Sequence, residues 1–284
     1  MSGIKQIREN GRRFMNAVEL KEKLHRGDQV LGTLIVSPSP FWPKALAGCG
    51  LDFVFIDTEH IALDRSQVSW MCRTYTAMGM PPLVRITSPN PYDATVVLDD
   101  GAAGVIAPYL ESREQVSQLR GATKLRPLKG AKMNSILGGA EIAPGLSNYL
   151  TGSNEKHILV ANIESVPALN ALDEILDVPG LDAVLIGSHD LSTSLDIPEQ
   201  YHDPLFLKTV ETIFRKARAK GIGAGIHAWS DLDYQVNLVN LGANMLIHKA
   251  DIIFAATGLK TELAAIREKL GMQSLSASAA NVNI

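Results

Sequence analysis

Cysteine is nearly absent. The two present, Cys49 and Cys72, belong to no CxxC or Cys/His spacing, which argues against a disulfide framework and a structural zinc site. Both are expected to pack as small hydrophobes. No apolar run is long enough to span a bilayer, which excludes helical membrane spans. Long basic clusters are missing too, and a formal net charge of −3 speaks against a nucleic-acid surface. The first fifteen residues carry Lys5, Arg8, Arg12 and Arg13 without a hydrophobic segment, so no secretory signal is read there and the cytoplasm is the expected location. No GxGxxG follows the first apolar run, which removes the usual dinucleotide fingerprint. A small-molecule partner remains as the expectation.

What the chain does have is repetition. Eight short apolar runs recur: VLGTLIV, FVFID, PPLVRI, GVIAPY, ILVANIE, AVLIGS, GAGIH and MLIHK. Near-continuous apolar strands are expected where a parallel sheet is covered on both faces. The intervening segments read as helices. Ser165 can cap one whose first turn holds Pro167 and whose apolar stripe is Val166, Leu169, Leu172 and Leu176. Two more are expected over Pro204 to Lys220 and Asp231 to Leu241. Eight strand–helix units in about 250 residues match a single (β/α)8 TIM barrel, with a doubly wound sheet as the alternative. The barrel is assigned to residues 16–270, an amino-terminal extension to 1–15, and a loose, polar tail to 271–284. The polar, glycine-containing stretch from Lys124 to Asn154 reads as a functional or interface loop.

Polar groups gather where the apolar runs stop, and in a barrel those ends meet at one mouth. FVFID runs into Thr58, Glu59 and His60; there Asp57 and His60 read either as site residues or as a helix cap and a surface histidine. Arg85 ends the third run, Asn162 and Glu164 the fifth, and Asp190 and His227 follow the sixth and seventh. Glu164 and Asp190 are a carboxylate pair for one hard cation such as Mg²⁺ or Mn²⁺, or else two helix caps. Arg85 can neutralise an oxyanion beside that cation. His248 reads as a mouth residue or a satisfied barrel histidine, and Lys249 beside it invites an imine mechanism.

Several of these segments form a recognisable series: LGTLIVSPSP, IDTEH, PLVR, LDDGAAGVIAP, VANIES and IGSHDLS. From about Asn16 to Leu270 it resembles the HpcH/HpaI family of metal-dependent aldolases. The resemblance implies a phosphoenolpyruvate/pyruvate-type barrel. It also implies class II chemistry: reversible cleavage of a 4-hydroxy-2-oxo acid to pyruvate, or a close 2-oxo acid, and an aldehyde through an enolate. Glu164 and Asp190 correspond to ligands of Mg²⁺, Mn²⁺ or Co²⁺, and Arg85 to the residue that binds the keto oxygen. His60 corresponds to the catalytic histidine with Asp99 as its partner, and Asp57 and Glu59 stand behind them. Asn162, Ser188, His189, Asp190 and His227 fall at the substrate, the amides of His189 and Asp190 on its carboxylate and His227 on the acceptor rim. The family further implies a homo-oligomer built from dimers, up to a hexamer, with the last helix exchanged between barrels. The chain departs from the pattern at Asn162, where glutamine is common, and at Ser188, His189 and Lys132. Other chemistries compatible with the same fold are an acyl-CoA lyase, an oxaloacetate decarboxylase, or a barrel that binds a 2-oxo acid without catalysis.

Overall fold

The computed structural model describes residues 14–273; expectations placed on residues 1–13 and 274–284 lie outside the described residues. All eight apolar runs form strands: β1 (Val30–Ile35), β2 (Phe53–Asp57), β3 (Pro82–Arg85), β4 (Gly104–Ala107), β5 (Ile158–Ile163), β6 (Ala183–Ile186), β7 (Gly223–Ala228) and β8 (Met245–Ala250). They pair in sequence order, all parallel, and β8 returns to β1 to close a barrel. Closure removes the doubly wound alternative.

Helices cover the strands in the alternation expected for this fold. They are α1 (Ala17–Arg26), α2 (Trp42–Leu46), α3 (Arg65–Ala77), α4 (Pro91–Asp99), α5 (Arg113–Lys124), α6 (Gly130–Leu137) and α7 (Pro144–Asn154), then α8 (Val166–Asn170), α9 (Leu172–Leu176), α10 (Ser188–Ser194), α11 (Pro204–Ala219), α12 (Leu232–Asn240) and α13 (Asp251–Lys269).

Two apolar layers result. Leu34, Phe53, Phe55, Leu83, Ile106, Val160, Leu185 and Ile247 pack together along the lumen, and a larger set lies between strands and helices. Gly32 makes room for this filling, because a Cβ there would stand 2.6 Å from the Phe53 ring. Below the lumen, Asn16 accepts the Glu19 N–H at 2.9 Å and starts α1. Leu20 and Leu24 of that helix join the lumen cluster and close the foot of the barrel, each burial contributing about 1.5–3 kcal/mol.

Two regions differ from their sequence reading. Residues 124–154 are not a loop but the helical excursion α6–α7, held by a small core of Leu125, Ile136 and Leu150. Its glycines and polar residues hid that sparse apolar set. The stripe after β5 is two helices rather than one: Ser165 Oγ accepts from the Ala168 N–H as expected, but a tight turn at Ala171 separates α8 from α9. That turn lets Ala168, Leu172, Ile175 and Leu176 all reach the core.

Candidate active site

The register of β2 and β3 sets Asp57 opposite Arg85, and the two form a fork. Arg85 Nε donates to Asp57 Oδ1 at 2.8 Å and Nη2 to Oδ2 at 2.6 Å. Asp57 is only 2% exposed, so this pair is desolvated and geometrically fixed. Glu59 adds a second carboxylate: its N–H donates to Asp57 Oδ1, and its Oε2 lies 3.2 Å from Arg85 Nε. Burial works against the Arg85 charge, but the hydrogen bonds and charge of Asp57, then the charges of Glu59 and Glu164, outweigh it and raise the pKa. Among the described residues no bond is made by Nη1, which leaves one corner of the guanidinium for a ligand.

On the other side stands Glu164, one residue past β5 and 6% exposed. Its Oε1 accepts the Tyr109 N–H at 2.6 Å and its Oε2 accepts Asn162 Nδ2 at 2.9 Å. Desolvation raises its pKa first; the Tyr109 and Asn162 hydrogen bonds oppose this, and the charges of Asp190 and Glu59 add to it. Gly187, between β6 and α10, is the point where the carboxylates meet. A Cβ there would lie 2.6 Å from Glu164 Oε2 and 3.4 Å from Asp190 Oδ2. Asp190 itself projects from the first turn of α10.

The remaining candidates sort differently. His60 is at the mouth, its side chain 53% exposed and its Nε2 3.8 Å from Glu59 Oε1. Within the same chain Asp99 stands apart from it. Asp99 ends α4, five residues before β4 begins and thus toward the foot, where its carboxylate accepts from Arg126. Ser188 Oγ donates to the His227 carbonyl at 3.4 Å, while the His189 ring turns outward, 3.7 Å from exposed Glu199. His227 is a wall residue rather than a rim residue. Its ring meets Phe55 edge-on and tilts against Trp229, and its Nε2–H donates to the Lys249 carbonyl at 3.0 Å. Burial pushes its pKa down to about 4, so the ring is neutral at physiological pH. A β-bulge supplies the accepting carbonyl: Thr33 faces both His248 and Lys249, and Lys249 adopts φ 44°. His248 lies outside the lumen, hydrogen-bonded to Gln235 and tilted against the Phe254 ring.

A model of the HpcH/HpaI aldolase/citrate lyase family matches residues 35–249, the span from the end of β1 to β8 that carries every candidate site residue. The chain belongs to this family. The enzyme is therefore a carbon–carbon lyase of the aldolase class. A 2-keto-3-deoxy-L-rhamnonate aldolase of Escherichia coli O9:H4 (strain HS) is 30% identical over 88% of this chain and 94% of its own length. Among solved structures, an HpcH/HpaI aldolase from Desulfitobacterium hafniense DCB-2 superposes with a TM-score of 0.75 at 28% identity, covering 88% of this chain and 96% of the other. The citrate synthase SbnG does so with 0.74 at 31% identity, covering 89% and 98%.

Divalent metal use is general in the family, and the mouth of this barrel fits such an ion. Asp57, Glu59 and Glu164 act on one guanidinium and Asp190 lies across Gly187 from Glu164, so negative charge is in excess. The buried Oδ1 of Asn162 has no hydrogen-bond partner among the described residues, and Gly187 leaves open the space between two carboxylates. Among the described residues no three His, Cys, Asp or Glu side chains converge as a complete cage. Two carboxylates and several water or substrate oxygens suit Mg²⁺ or Mn²⁺ better than zinc.

Tyr109 was not singled out by the sequence. It follows β4 with φ 55°, a left-handed conformation uncommon for a bulky residue. The conformation aims its N–H at Glu164, and its phenol faces Glu59, whose hydrogen bond leads the rise of its pKa to about 12. The only sequence signal was its place at the end of the apolar run GVIAPY.

Proposed function

We propose that this lyase reversibly cleaves a 4-hydroxy-2-oxo acid into pyruvate, or a close 2-oxo acid, and an aldehyde. The observation that carries the reading is the meeting of Glu164 and Asp190 around Gly187, opposite an Arg85 fixed by Asp57 and Glu59. Mg²⁺, Mn²⁺ or Co²⁺ held by Glu164 and Asp190 would supply a Lewis acid beside the keto oxygen of the substrate. Arg85 offers Nη1 to that oxygen and places fixed positive charge where enolate charge develops. The Asp57 fork keeps the guanidinium from swinging away. The first N–H groups of α10, at His189 and Asp190, receive the substrate carboxylate, and Asn162 Oδ1 takes a donor from substrate or water. His60, at the mouth, moves the proton of the aldol hydroxyl, and Glu59 rather than Asp99 is the carboxylate beside it. The neutral His227, with Phe55 and Trp229, walls the site without titrating.

The 2-keto-3-deoxy sugar acid named for the E. coli relative belongs to this substrate class. A second reading, favoured by the likeness to the citrate synthase SbnG, keeps the enolate chemistry but changes the enolate, from that of a 2-oxo acid to that of an acyl group. Pyruvate in D₂O with the metal-loaded enzyme separates enolising activity from passive binding, because methyl deuteration followed by NMR needs no acceptor. Exchange that depends on enzyme and metal is expected; a silent methyl signal sinks the pyruvate-enolate reading.

A further inference from the structure

The foot of the barrel carries a cleft of about 430 Å³ that shares no residue with the mouth. It lies among α1, α5, α7 and the turn before β6, and Lys21, His25, Arg120 and Lys124 supply its basic lining. Most of these groups are occupied. Lys124 Nζ donates to Asp182 and to the His157 carbonyl, His25 Nε2 lies 3.1 Å from Asp182, and the Leu159 N–H also donates to that buried carboxylate. Among the described residues Lys21 Nζ reaches only the backbone carbonyl of Glu155, whose own carboxylate is the second acidic group of the lining.

Arg120 is the exception. It is half-buried, yet among the described residues it has no hydrogen bond or ion pair, and burial alone lowers its pKa. A guanidinium partly removed from water with no acceptor is costly, and it ordinarily marks a missing partner. The surroundings are cationic. His157, next to the cleft, is driven down to about 4 by burial and then by Arg126, Lys156 and Lys124. Leu125, Ile142 and Leu150 line the same space, so it offers an apolar wall beside the charge. Its volume lies within the range of about 300–1,000 Å³ usual for small-molecule pockets.

We propose that this cleft is a second ligand site that binds a small organic anion, with Arg120 holding a phosphate or carboxylate group, Lys21 flanking it, and Leu125, Ile142 and Leu150 receiving the apolar body. Arg120 presents the planar fork that suits both acids. The site is independent of the lyase reading, since no group of the mouth takes part.

Calorimetric titration of the full chain at constant ionic strength, with phenyl phosphate, benzoate and inorganic phosphate as probes, tests it. Saturable binding of phenyl phosphate or benzoate is expected, tighter than that of inorganic phosphate and weakened at least tenfold by Arg120→Gln. Whichever aromatic acid binds tighter identifies the acid group. Lys21→Gln, on the face of α1, should weaken binding less and provides a second variant should Arg120→Gln misfold. No saturable binding, or affinities unchanged in both folded variants, overturns the proposal.

Discussion

Arg85 and His60 answer different demands of the proposed reaction, and their variants should separate. Arg85→Ala removes fixed charge from the developing oxyanion and leaves Asp57 and Glu59 unneutralised. Both pyruvate methyl exchange and aldol cleavage should fall by about 10²-fold or more. His60→Ala should cost cleavage about 10² to 10⁴-fold while exchange survives in part. Equal and complete loss of both activities, with pyruvate affinity intact, would instead make His60 the enolising base. At the foot, His157 offers a stability test. It is buried, its Nδ1 is 3.2 Å from Asn154 Oδ1, and its pKa is depressed to about 4 from an unfolded value near 6.5. Protonation therefore favours the unfolded chain. The contribution, on the order of 3 kcal/mol, is complete above about pH 6.5 and disappears as pH falls toward 4. Urea unfolding across that window should show a shallower pH dependence for His157→Asn than for the parent chain.

The element that stands out is α13. Asp251 anchors its start by accepting the Val36 and Ser37 N–H groups at 3.0 and 3.1 Å. Beyond that anchor, Ile252, Phe254, Leu259, Leu263 and Ile266 are all exposed, and Asp251 is the one buried residue of the helix. A 19-residue helix with so much uncovered apolar surface fits the exchange between neighbouring barrels implied by the family resemblance. Light scattering should return a multiple of 30.7 kDa, and Leu263→Glu should shift the mass downward; a monomeric parent chain would count against exchange. The excursion α6–α7 is the opposite case, a pair of helices that satisfies itself through Leu125, Ile136 and Leu150.

Over the whole molecule, charge is divided between the two ends of the barrel. Carboxylates crowd the mouth around Arg85, while lysines and arginines collect around Asp182 at the foot. The proposed function places a divalent ion at the acidic end. EDTA should abolish turnover, with Mg²⁺, Mn²⁺ or Co²⁺ restoring it. Full activity after metal removal, or borohydride trapping of pyruvate on Lys249, would replace this chemistry with an imine mechanism.

The eight strands were legible in the sequence because a buried parallel strand is a local property: a run of apolar residues interrupted by capped helices. The same logic exposed Asp57, Arg85, Glu164 and Asp190, since a strand that leaves an apolar core on a charged residue is visible in one dimension. Within one chain Asp99 lies by Arg126 and away from His60, a separation the sequence hid because closeness across the barrel depends on which end of a helix a residue occupies. The α6–α7 excursion was hidden for a related reason: a core of three buried side chains carries too weak a periodicity to stand out among glycines. Tyr109, the half-buried place of Arg120 in its cleft and the wall position of His227 depend on barrel closure, on a left-handed backbone and on a β-bulge. Sequence alone determined the strands and the chemical groups at their ends. Tertiary structure decided which groups meet, because pairing, desolvation and empty space arise only when distant segments pack.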